Sequence, residues 1–250
     1  MNQPEESIHS NKQFILERFN ENVRGKEIFL EGQHKHHCGK EGHWLETQMG
    51  LKHNAKNEPD ILGYEMKTGD KATTFIDKTP DYIYLNGEIL PKRNKSAKKE
   101  FYDKYASPKN TDKPTPGGWS INKYNNTGQK AFVDISNNIY IEYNYEHDTR
   151  ENKDTLNLNK SPHVIMQWNR DSLKTTIENK FNQKGFFKCK KEGNCFVKIC
   201  FGSRITFERW LEEFKKGTIY HEGYSHVSGR GRHQFRAKNS FWDSLITEEY

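Results

Sequence analysis

Apolar residues in this sequence come in many short segments, and no apolar run is longer than a few residues. Hydrophobic residues make up 32% of the 250 residues and charged residues 30%, so the core must be small. Aromatic residues, at 13%, must supply much of that core, and such a content is not typical of disordered chains. A membrane span needs roughly 20 consecutive apolar residues, and the sequence has no such run. The sequence predicts a folded, intracellular chain of one large domain or two small ones, with no membrane segment.

Cysteine content and net charge narrow the class of protein only a little. The four cysteines, Cys38, Cys189, Cys195 and Cys200, are too few and too unevenly placed for a disulfide framework. In a reducing compartment we expect them to remain thiols. The formal net charge of +6 fits a polyanionic partner, but many solvated surfaces are equally basic.

The spacing of apolar residues alternates between helical and strand-like along the chain. Helices are predicted over 8–23, shortly after residue 43 with an end at Gly50, from near Asp171, over 206–216, and after 237. Strands are predicted over 61–68, 72–76, 81–85, 163–168, 186–190, 195–201, 218–227 and 233–237, and a hairpin over 131–145 that turns at Asn137-Asn138. Residues 91–130 are polar and proline-rich, which predicts a long irregular segment. The fold class is therefore mixed α/β (α+β), with helices flanking a central mixed sheet.

The stretch EPDILGYEMKT, from Glu58 to Thr68, carries the most chemistry. Side chains alternate between the faces of a strand, so its apolar residues share one face while Glu65 and Lys67 project side by side from the other. Asp60 stands at the start of this strand. Two carboxylates can hold one or two Mg²⁺ ions against a phosphate, and a nearby ammonium can orient the attacking water. A solvated strand face would show the same pattern, so both interpretations stay open at this point.

This pattern resembles the active-site motif of the PD-(D/E)XK nucleases, and specifically of the MvaI/BcnI-type restriction endonucleases and their mismatch-repair relative MutH. The resemblance covers most of the chain from about residue 42 to 246 and is weaker between 90 and 160. Four segments carry it: Gly42–Gly50, Pro59-Asp60 with Tyr64–Thr68, the run from Asp171 to Gly217, and the basic segment Gly229–Arg236.

The resemblance implies the restriction-endonuclease-like fold and a Mg²⁺-dependent DNA endonuclease. It implies that Asp60 and Glu65 bind one or two metal ions, and that Glu46 and Lys67 complete the catalytic set. It also implies a monomer that cleaves double-stranded DNA at a short GC-rich site similar to CC-N-GG. Such an enzyme works in the prokaryotic cytoplasm beside a cognate DNA methyltransferase. A MutH-like nicking enzyme and a catalytically inactive DNA-binding protein are the alternatives.

Basic residues near the C-terminus are candidates for reading DNA. Arginine can pair with guanine in the major groove, and histidine or glutamine can bond a base edge. The alternative is a solvated turn, or arginines that contact phosphates alone. The candidates in this segment are His226, Arg230, Arg232, His233 and Arg236. In the polar segment before residue 130, Lys109 and Lys123 are candidates for contacts along a groove. We therefore predict a catalytic part over 1–90, to which C-terminal elements return, and a DNA-recognition part over 91–250.

The histidine-rich stretch His34–His43, which includes Cys38, suggests zinc at first sight. A structural zinc site needs four ligands, often in paired short spacings. The next cysteine, Cys189, lies about 150 residues further on, and such paired spacing is therefore missing. A DNA-facing loop near the active site is the interpretation we favour.

Overall fold

A computed structural model describes residues 5–29, 40–51, 57–68, 72–91, 94–106, 118–119, 121, 123–225 and 231–250. The helices are α1 (Glu5–Asn22), α2 (Lys40–Gln48), α3 (Lys95–Tyr105), α4 (Arg170–Phe181), α5 (Phe207–Lys216) and α6 (Asn239–Ser244). The strands are β1 (Glu65–Thr68), β2 (Thr73–Asp77), β3 (Tyr82–Leu85), β4 (Glu88–Ile89), β5 (Gly118–Trp119), β6 (Thr127–Val133), β7 (Ile139–Asp148), β8 (His163–Trp168), β9 (Phe186–Glu192), β10 (Cys195–Gly202), β11 (Ile219–Ser225), β12 (Gly231–Ala237) and β13 (Ile246–Glu249). The predicted mixture of helices and strands is confirmed.

The chain forms two compact units, each assembled from separate stretches of sequence. Unit 1 contains Met1–Thr73, Thr176–Thr206 and Lys238–Tyr250, and unit 2 contains Thr74–Thr175 and Phe207–Ala237. The chain therefore passes from unit 1 to unit 2 after Thr73, and residues 176–206 and 238–250 belong to unit 1 again. The described strands form three sheets, where the sequence predicted one central sheet.

Unit 1 is built on a four-stranded sheet in the order β1-β9-β10-β13. Strand β1 runs parallel to β9, and the other neighbours are antiparallel. Tyr64 and Met66 pack on one side of β1 into a core with residues of α1 and α2, among them Phe19 and Leu45. The opposite side is buried too, since Glu65 is only 2% exposed and Lys67 only 7%. Burial on both faces is typical of strands in parallel pairing.

The predicted strand over 61–68 is wrong in its first half, because Ile61–Tyr64 forms a tight turn. The backbones of Ile61 and Tyr64 exchange two hydrogen bonds, at 3.0 and 2.8 Å. Leu62 and Gly63 between them have positive φ angles of 50° and 88°. Positive φ at both central residues defines the tight hairpin turn that matches strand twist. Leu62 consequently points to solvent and not into the predicted apolar face.

The segment 91–130 is also more regular than predicted, because it contains α3. The Asn94 side chain caps this helix by accepting a hydrogen bond from the backbone N–H of Ala97 at 3.0 Å. Its apolar stripe, which includes Phe101 and Tyr105, is buried. Two smaller differences concern the hairpin, where Ile135 lies in the turn and is fully exposed, and the C-terminus, where β13 was not predicted.

Unit 2 contains two sheets, one in the order β4-β3-β8-β7-β6 and one in the order β2-β12-β11-β5. Its core includes Trp168, Trp210 and Phe235, whose rings meet edge to face at centroid distances of 5.5 Å for Trp168–Phe235 and 5.1 Å for Trp210–Phe235. The predicted helix α5 is confirmed, with an apolar face that includes Trp210 and Phe214 and with Gly217 just past its end. Within the described residues, no helix combines the length and apolar character that crossing a bilayer requires.

Candidate active site

The turn before β1 places Asp60 beside the first residues of the strand. Because the chain reverses at Leu62 and Gly63, the Asp60 carboxylate can accept a hydrogen bond from the backbone N–H of Met66 at 2.8 Å. A side chain at Gly63 would be strained, since its φ is 88° and a Cβ would lie 3.3 Å from the Lys184 side chain. A turn therefore brings Asp60 close to Glu65. The two residues do not lie along one extended strand, as the sequence predicted.

The two carboxylates repel each other in a poorly solvated environment. Burial, and then the charge of Glu65, raise the pKa of Asp60 from 3.8 to about 6, although the Met66 N–H, Lys67 and Lys180 lower it. Glu65 Oε1 accepts a hydrogen bond from Lys67 Nζ at 2.9 Å and forms an ion pair with Lys180 Nζ at 3.0 Å. Glu65 Oε2 is buried and has no hydrogen-bond partner among the residues that the structure describes. Buried carboxylate oxygens without a partner are rare and call for a functional explanation.

The Lys67 ammonium lies inside unit 1, between Glu65 and two aromatic rings. Its Nζ lies 5.2 Å from the centre of the Phe181 ring and 5.4 Å from that of Trp242. Burial lowers the pKa of Lys67, and the charge of Glu65 counteracts this. The rings of α4 and α6 thus hold the ammonium in place beside Glu65.

Lys180 completes a set of two carboxylates and two ammoniums, and the sequence did not single it out. It lies on α4, three positions after the buried Ile177, and its side chain is 23% exposed. Its place beside an apolar stripe was visible in the sequence, but its pairing with Glu65 joins residues more than a hundred positions apart. No local pattern reports such a contact.

Glu46 lies half-buried on α2, which packs against β1. A Cβ at Gly42 on the same helix would lie 3.4 Å from Thr68 Oγ1 on β1. The structure therefore brings the element that carries Glu46 next to the strand that carries Glu65. The role of the Glu46 side chain itself stays a prediction.

The described DNA-binding candidates divide between surface and core. Arg232 is exposed and Arg236 is half-buried. Both lie on the same side of β12 as Gln234. Gln234 was not among the predicted residues, although the alternation of side chains along a strand could have identified it. Arg236 Nη1 pairs with Glu222 Oε2 on β11 at 2.6 Å. Lys123 is exposed. Three further candidates, Lys109, His226 and Arg230, lie outside the described residues, as does His34–Cys38.

His233 lies on the other side of β12 and is 1% exposed. Its Nε2 shares a hydrogen bond with the Tyr102 hydroxyl at 3.0 Å, and its ring stacks on that of His221 at a centroid distance of 5.4 Å. Burial, and then the charge of Lys98, lower its pKa to about 3. The prediction that His233 contacts DNA does not agree with this interior position, because residues 231 to 237 alternate between the two sides of the strand.

Metal ligands are sparse in the described part of the chain. No group of three or more His, Cys, Asp or Glu side chains there could hold a metal ion. A cation at this site would therefore depend on the two carboxylates, Asp60 and Glu65. Mg²⁺ suits such a site, because proteins commonly bind it through one or two carboxylates while it keeps waters and substrate phosphate oxygens as ligands.

Comparisons with known proteins identify the family of this chain. The family described as LlaMI restriction endonuclease matches residues 24–250. The type II restriction enzyme ScrFI of Lactococcus lactis subsp. cremoris is 33% identical over 271 residues, which cover 96% of this chain and 99% of the relative. A solved complex of the restriction endonuclease MvaI with its cognate DNA substrate has a TM-score of 0.64 at 15% identity, covering 100% of this chain and 99% of that chain. MvaI in the absence of DNA has a TM-score of 0.51 at the same identity and coverage. At this identity the two MvaI structures support the fold alone. The chain belongs to the LlaMI restriction endonuclease family.

Proposed function

We propose that this chain is a type II restriction endonuclease that hydrolyses double-stranded DNA with Mg²⁺ at a short GC-rich site. The unpartnered Oε2 of the buried Glu65, beside an Asp60 with a raised pKa, is the observation that carries the proposal. The family match, and the type II restriction enzyme ScrFI among the relatives, support this class of substrate and reaction. We also expect a cognate DNA methyltransferase in the same prokaryotic cytoplasm.

The carboxylates of Asp60 and Glu65 would hold the metal ion. A divalent cation would relieve their mutual repulsion and give Glu65 Oε2 the partner that it lacks within the described residues. One ion satisfies this requirement, and a second remains compatible with the two carboxylates. When bound, the ion supplies an acidified water and neutralises charge that develops on the phosphate.

Lys67 and Lys180 provide positive charge beside Glu65. Each ammonium is held by Glu65 Oε1, so both lie where a phosphate next to Glu65 would meet them. We assign Lys67 to orienting the attacking water and donating a hydrogen bond to a phosphate oxygen. Its burial between aromatic rings keeps it in this position without competition from solvent. Lys180, which is partly exposed, contributes charge stabilisation, and Glu46 supports the site from α2.

Sequence recognition is assigned to the exposed side of β12. Arg232, Gln234 and Arg236 lie on alternate positions of that strand and so share one side of it, and arginine and glutamine side chains can bond base edges in a major groove. His226 and Arg230 precede this strand in the sequence and are assigned to DNA contacts as well. Lys109 and Lys123 are assigned to phosphate contacts, which strengthen binding without selecting a sequence.

A MutH-like nicking enzyme is the alternative that the site leaves open, because nicking uses the same chemistry on one strand. The intact set of Asp60, Glu65 and Lys67 argues against a catalytically inactive DNA-binding protein. The chain carries one such set, whereas a duplex has two scissile phosphates. We propose a monomer that cuts the two strands in succession.

Purified protein incubated with supercoiled plasmid, with Mg²⁺ or with EDTA, tests this function. We expect cleavage in the Mg²⁺ sample alone, and sequenced ends that share one short GC-rich site. Limiting enzyme should produce an open-circle intermediate before linear DNA. An end product that stays nicked favours the nicking enzyme, and linear DNA without a nicked intermediate, together with a dimer on sizing, rejects the successive-cutting monomer. If no plasmid that contains the site is cleaved, the proposal is wrong.

A further inference from the structure

A small basic pocket lies in unit 1, beside Tyr64, the residue that precedes β1. It has a volume of about 220 Å³, and its lining includes Lys12, Tyr64, Lys184, Ser203 and Arg204. That space is enough for a phosphate group with part of its hydration, but it is below the size of typical drug-like ligand sites.

Two cations of this pocket lie close together, and the one carboxylate whose charge reaches Tyr64 in the described residues, that of Glu248, is paired with Lys12. Lys184 and Arg204 form no ion pair with any residue in the described ranges, unlike Lys12, which pairs with Glu248. Burial, and then the charge of Arg204, lower the pKa of Lys184, which shows that the two charges interact unfavourably. A cation pair of this kind is stabilised when an anion occupies the space between its members.

Neutral donors complete the pocket. Tyr64 is 1% exposed, and its hydroxyl forms no hydrogen bond with the described residues. The Ser203 side chain stands in the same lining and likewise has no side-chain hydrogen bond there. Two cations and two hydroxyl donors match the acceptor oxygens of a phosphate group.

The turn Ile61–Tyr64 connects this pocket with the active site. The Lys184 backbone N–H donates to Gly63 O at 3.1 Å, and the Lys184 side chain packs on Gly63. Tyr64 lines the pocket, while the next residue, Glu65, belongs to the catalytic set. An anion in the pocket would therefore lie at the end of β1 where the catalytic residues begin.

We propose that this pocket binds a phosphate group of the DNA backbone outside the scissile position, through Lys184, Arg204, Ser203 and Tyr64. The assignment to DNA rests on the proposed nuclease function, whereas the phosphate chemistry of the pocket does not. A backbone contact of this kind adds affinity for every sequence alike and makes binding more sensitive to salt.

Binding to cognate and non-cognate duplexes in EDTA, across a salt series, tests the proposal without cleavage. The double variant Lys184→Gln/Arg204→Gln should bind both duplexes about tenfold more weakly. The slope of log K against log salt should fall in magnitude by about 1, the value for one lost phosphate contact. The control Lys190→Gln/Lys198→Gln removes two lysines of unit 1 that pair with Glu249, and it should leave both quantities near wild type.

A second measurement uses inorganic phosphate alone and needs no DNA. Phosphate should raise the melting temperature of the wild type more than that of the double variant, at matched ionic strength. If DNA affinity and salt slope of the double variant equal those of the wild type, while the phosphate response is lost, the pocket binds a small anion and the backbone assignment is wrong. If neither measurement changes, the pocket is not a phosphate site. Both outcomes are independent of whether the wild type cleaves plasmid.

Discussion

Two buried acidic sites in this molecule differ in how their carboxylates are satisfied. In unit 2, Asp148 is 1% exposed and accepts hydrogen bonds from the Tyr143 hydroxyl at 3.0 Å and from Arg150 Nη2 at 2.6 Å. Arg150 in turn donates to the backbone carbonyls of Lys104 and Ala106, each at 2.9 Å. Burial alone would raise the pKa of Asp148, but the hydrogen bonds from Arg150 and Tyr143 outweigh it and lower the pKa.

In unit 1, burial and the repulsion between carboxylates outweigh the hydrogen bonds and the nearby positive charges, so the pKa of the aspartate is raised. The pKa of Asp60 rises to about 6, and Glu65 Oε2 has no hydrogen-bond partner among the described residues, although two ammoniums hold its Oε1. A site whose partners satisfy it completely stabilises the fold, as Asp148 does. A site that keeps repulsion and an open acceptor lowers stability, which is expected where a ligand or metal supplies the missing partner. The contrast favours a structural role for Asp148 and supports the catalytic role that we propose for Asp60 and Glu65.

Removing a catalytic group should give the largest effect. We expect Glu65→Ala or Lys67→Ala to reduce the cleavage rate by at least about 10³-fold, because the first removes a proposed metal ligand and the second removes a cation beside the reacting phosphate. Affinity for cognate DNA in EDTA should stay near wild type, since neither residue is assigned to base contacts. Cleavage by the Lys67→Ala variant at a near wild-type rate would contradict the mechanism.

Breaking the satisfied site should affect stability and not chemistry. Asp148→Asn leaves the buried Arg150 without its counter-charge, and such a loss costs about 3–5 kcal/mol of unfolding free energy. Urea unfolding at neutral pH measures it, with Asp171→Asn on the surface as a control that should change little. The rate of cleavage per folded molecule should not change. Loss of cleavage with unaltered stability would reverse the assignment of the two sites.

Lys180 sharpens the comparison, because it acts on both carboxylates of the catalytic site. We expect Lys180→Gln to reduce the cleavage rate by about tenfold, which is less than the effect of Lys67→Ala. The reason is that the partly exposed charge of Lys180 stabilises the reacting phosphate less than the buried charge of Lys67 does. Removing its charge should raise the pKa of Asp60 further, so the acid limb of the pH–rate profile should move to higher pH. The control Lys174→Gln removes a more exposed lysine from the same helix. An unchanged rate and profile would exclude Lys180 from the site.

The exposed side of β12 should give the smallest and most specific effect. Arg232→Ala or Arg236→Ala should cost about 1–3 kcal/mol against one base pair and relax the choice there. Lys123→Ala should weaken binding to all sequences alike. Binding to a set of single-base variants of the site separates the two. Full discrimination in both arginine variants would exclude this strand as the reader.

Much of the fold could be predicted because its information is local. A few neighbouring residues were enough to recognise the apolar spacing of α4 and α5 and the turn at Asn137 in the β6–β7 hairpin. Helix α3 was missed because its lysine-rich sequence lies among prolines, although Asn94 offered a capping signal. The turn at Leu62-Gly63 was missed because Leu rarely adopts positive φ and no Asn-Gly pair marked it.

The proposed catalytic site shows the same division between local and long-range information. Asp60, Glu65 and Lys67 lie within one short motif, and the sequence was enough to group them. Lys180 joins them only through the packing of α4. The interior position of His233 depends on which side of β12 faces the core, and a basic, glycine-rich segment does not reveal that side.

The stability of Asp60→Asn, with and without Mg²⁺, tests the central claim most directly. A pKa raised from 3.8 to about 6 corresponds to about 3 kcal/mol of destabilisation by the charged form, present above pH 6 and relieved as the pH falls towards 3.8. At pH 7 without metal, Asp60→Asn should therefore unfold at a higher temperature than the wild type. Mg²⁺ at ten times its dissociation constant should stabilise the wild type by about 1.4 kcal/mol and leave the variant nearly unchanged. A variant less stable than the wild type without metal, or an equal response of both proteins to Mg²⁺, would contradict the assignment of Asp60 and Glu65 as the metal site.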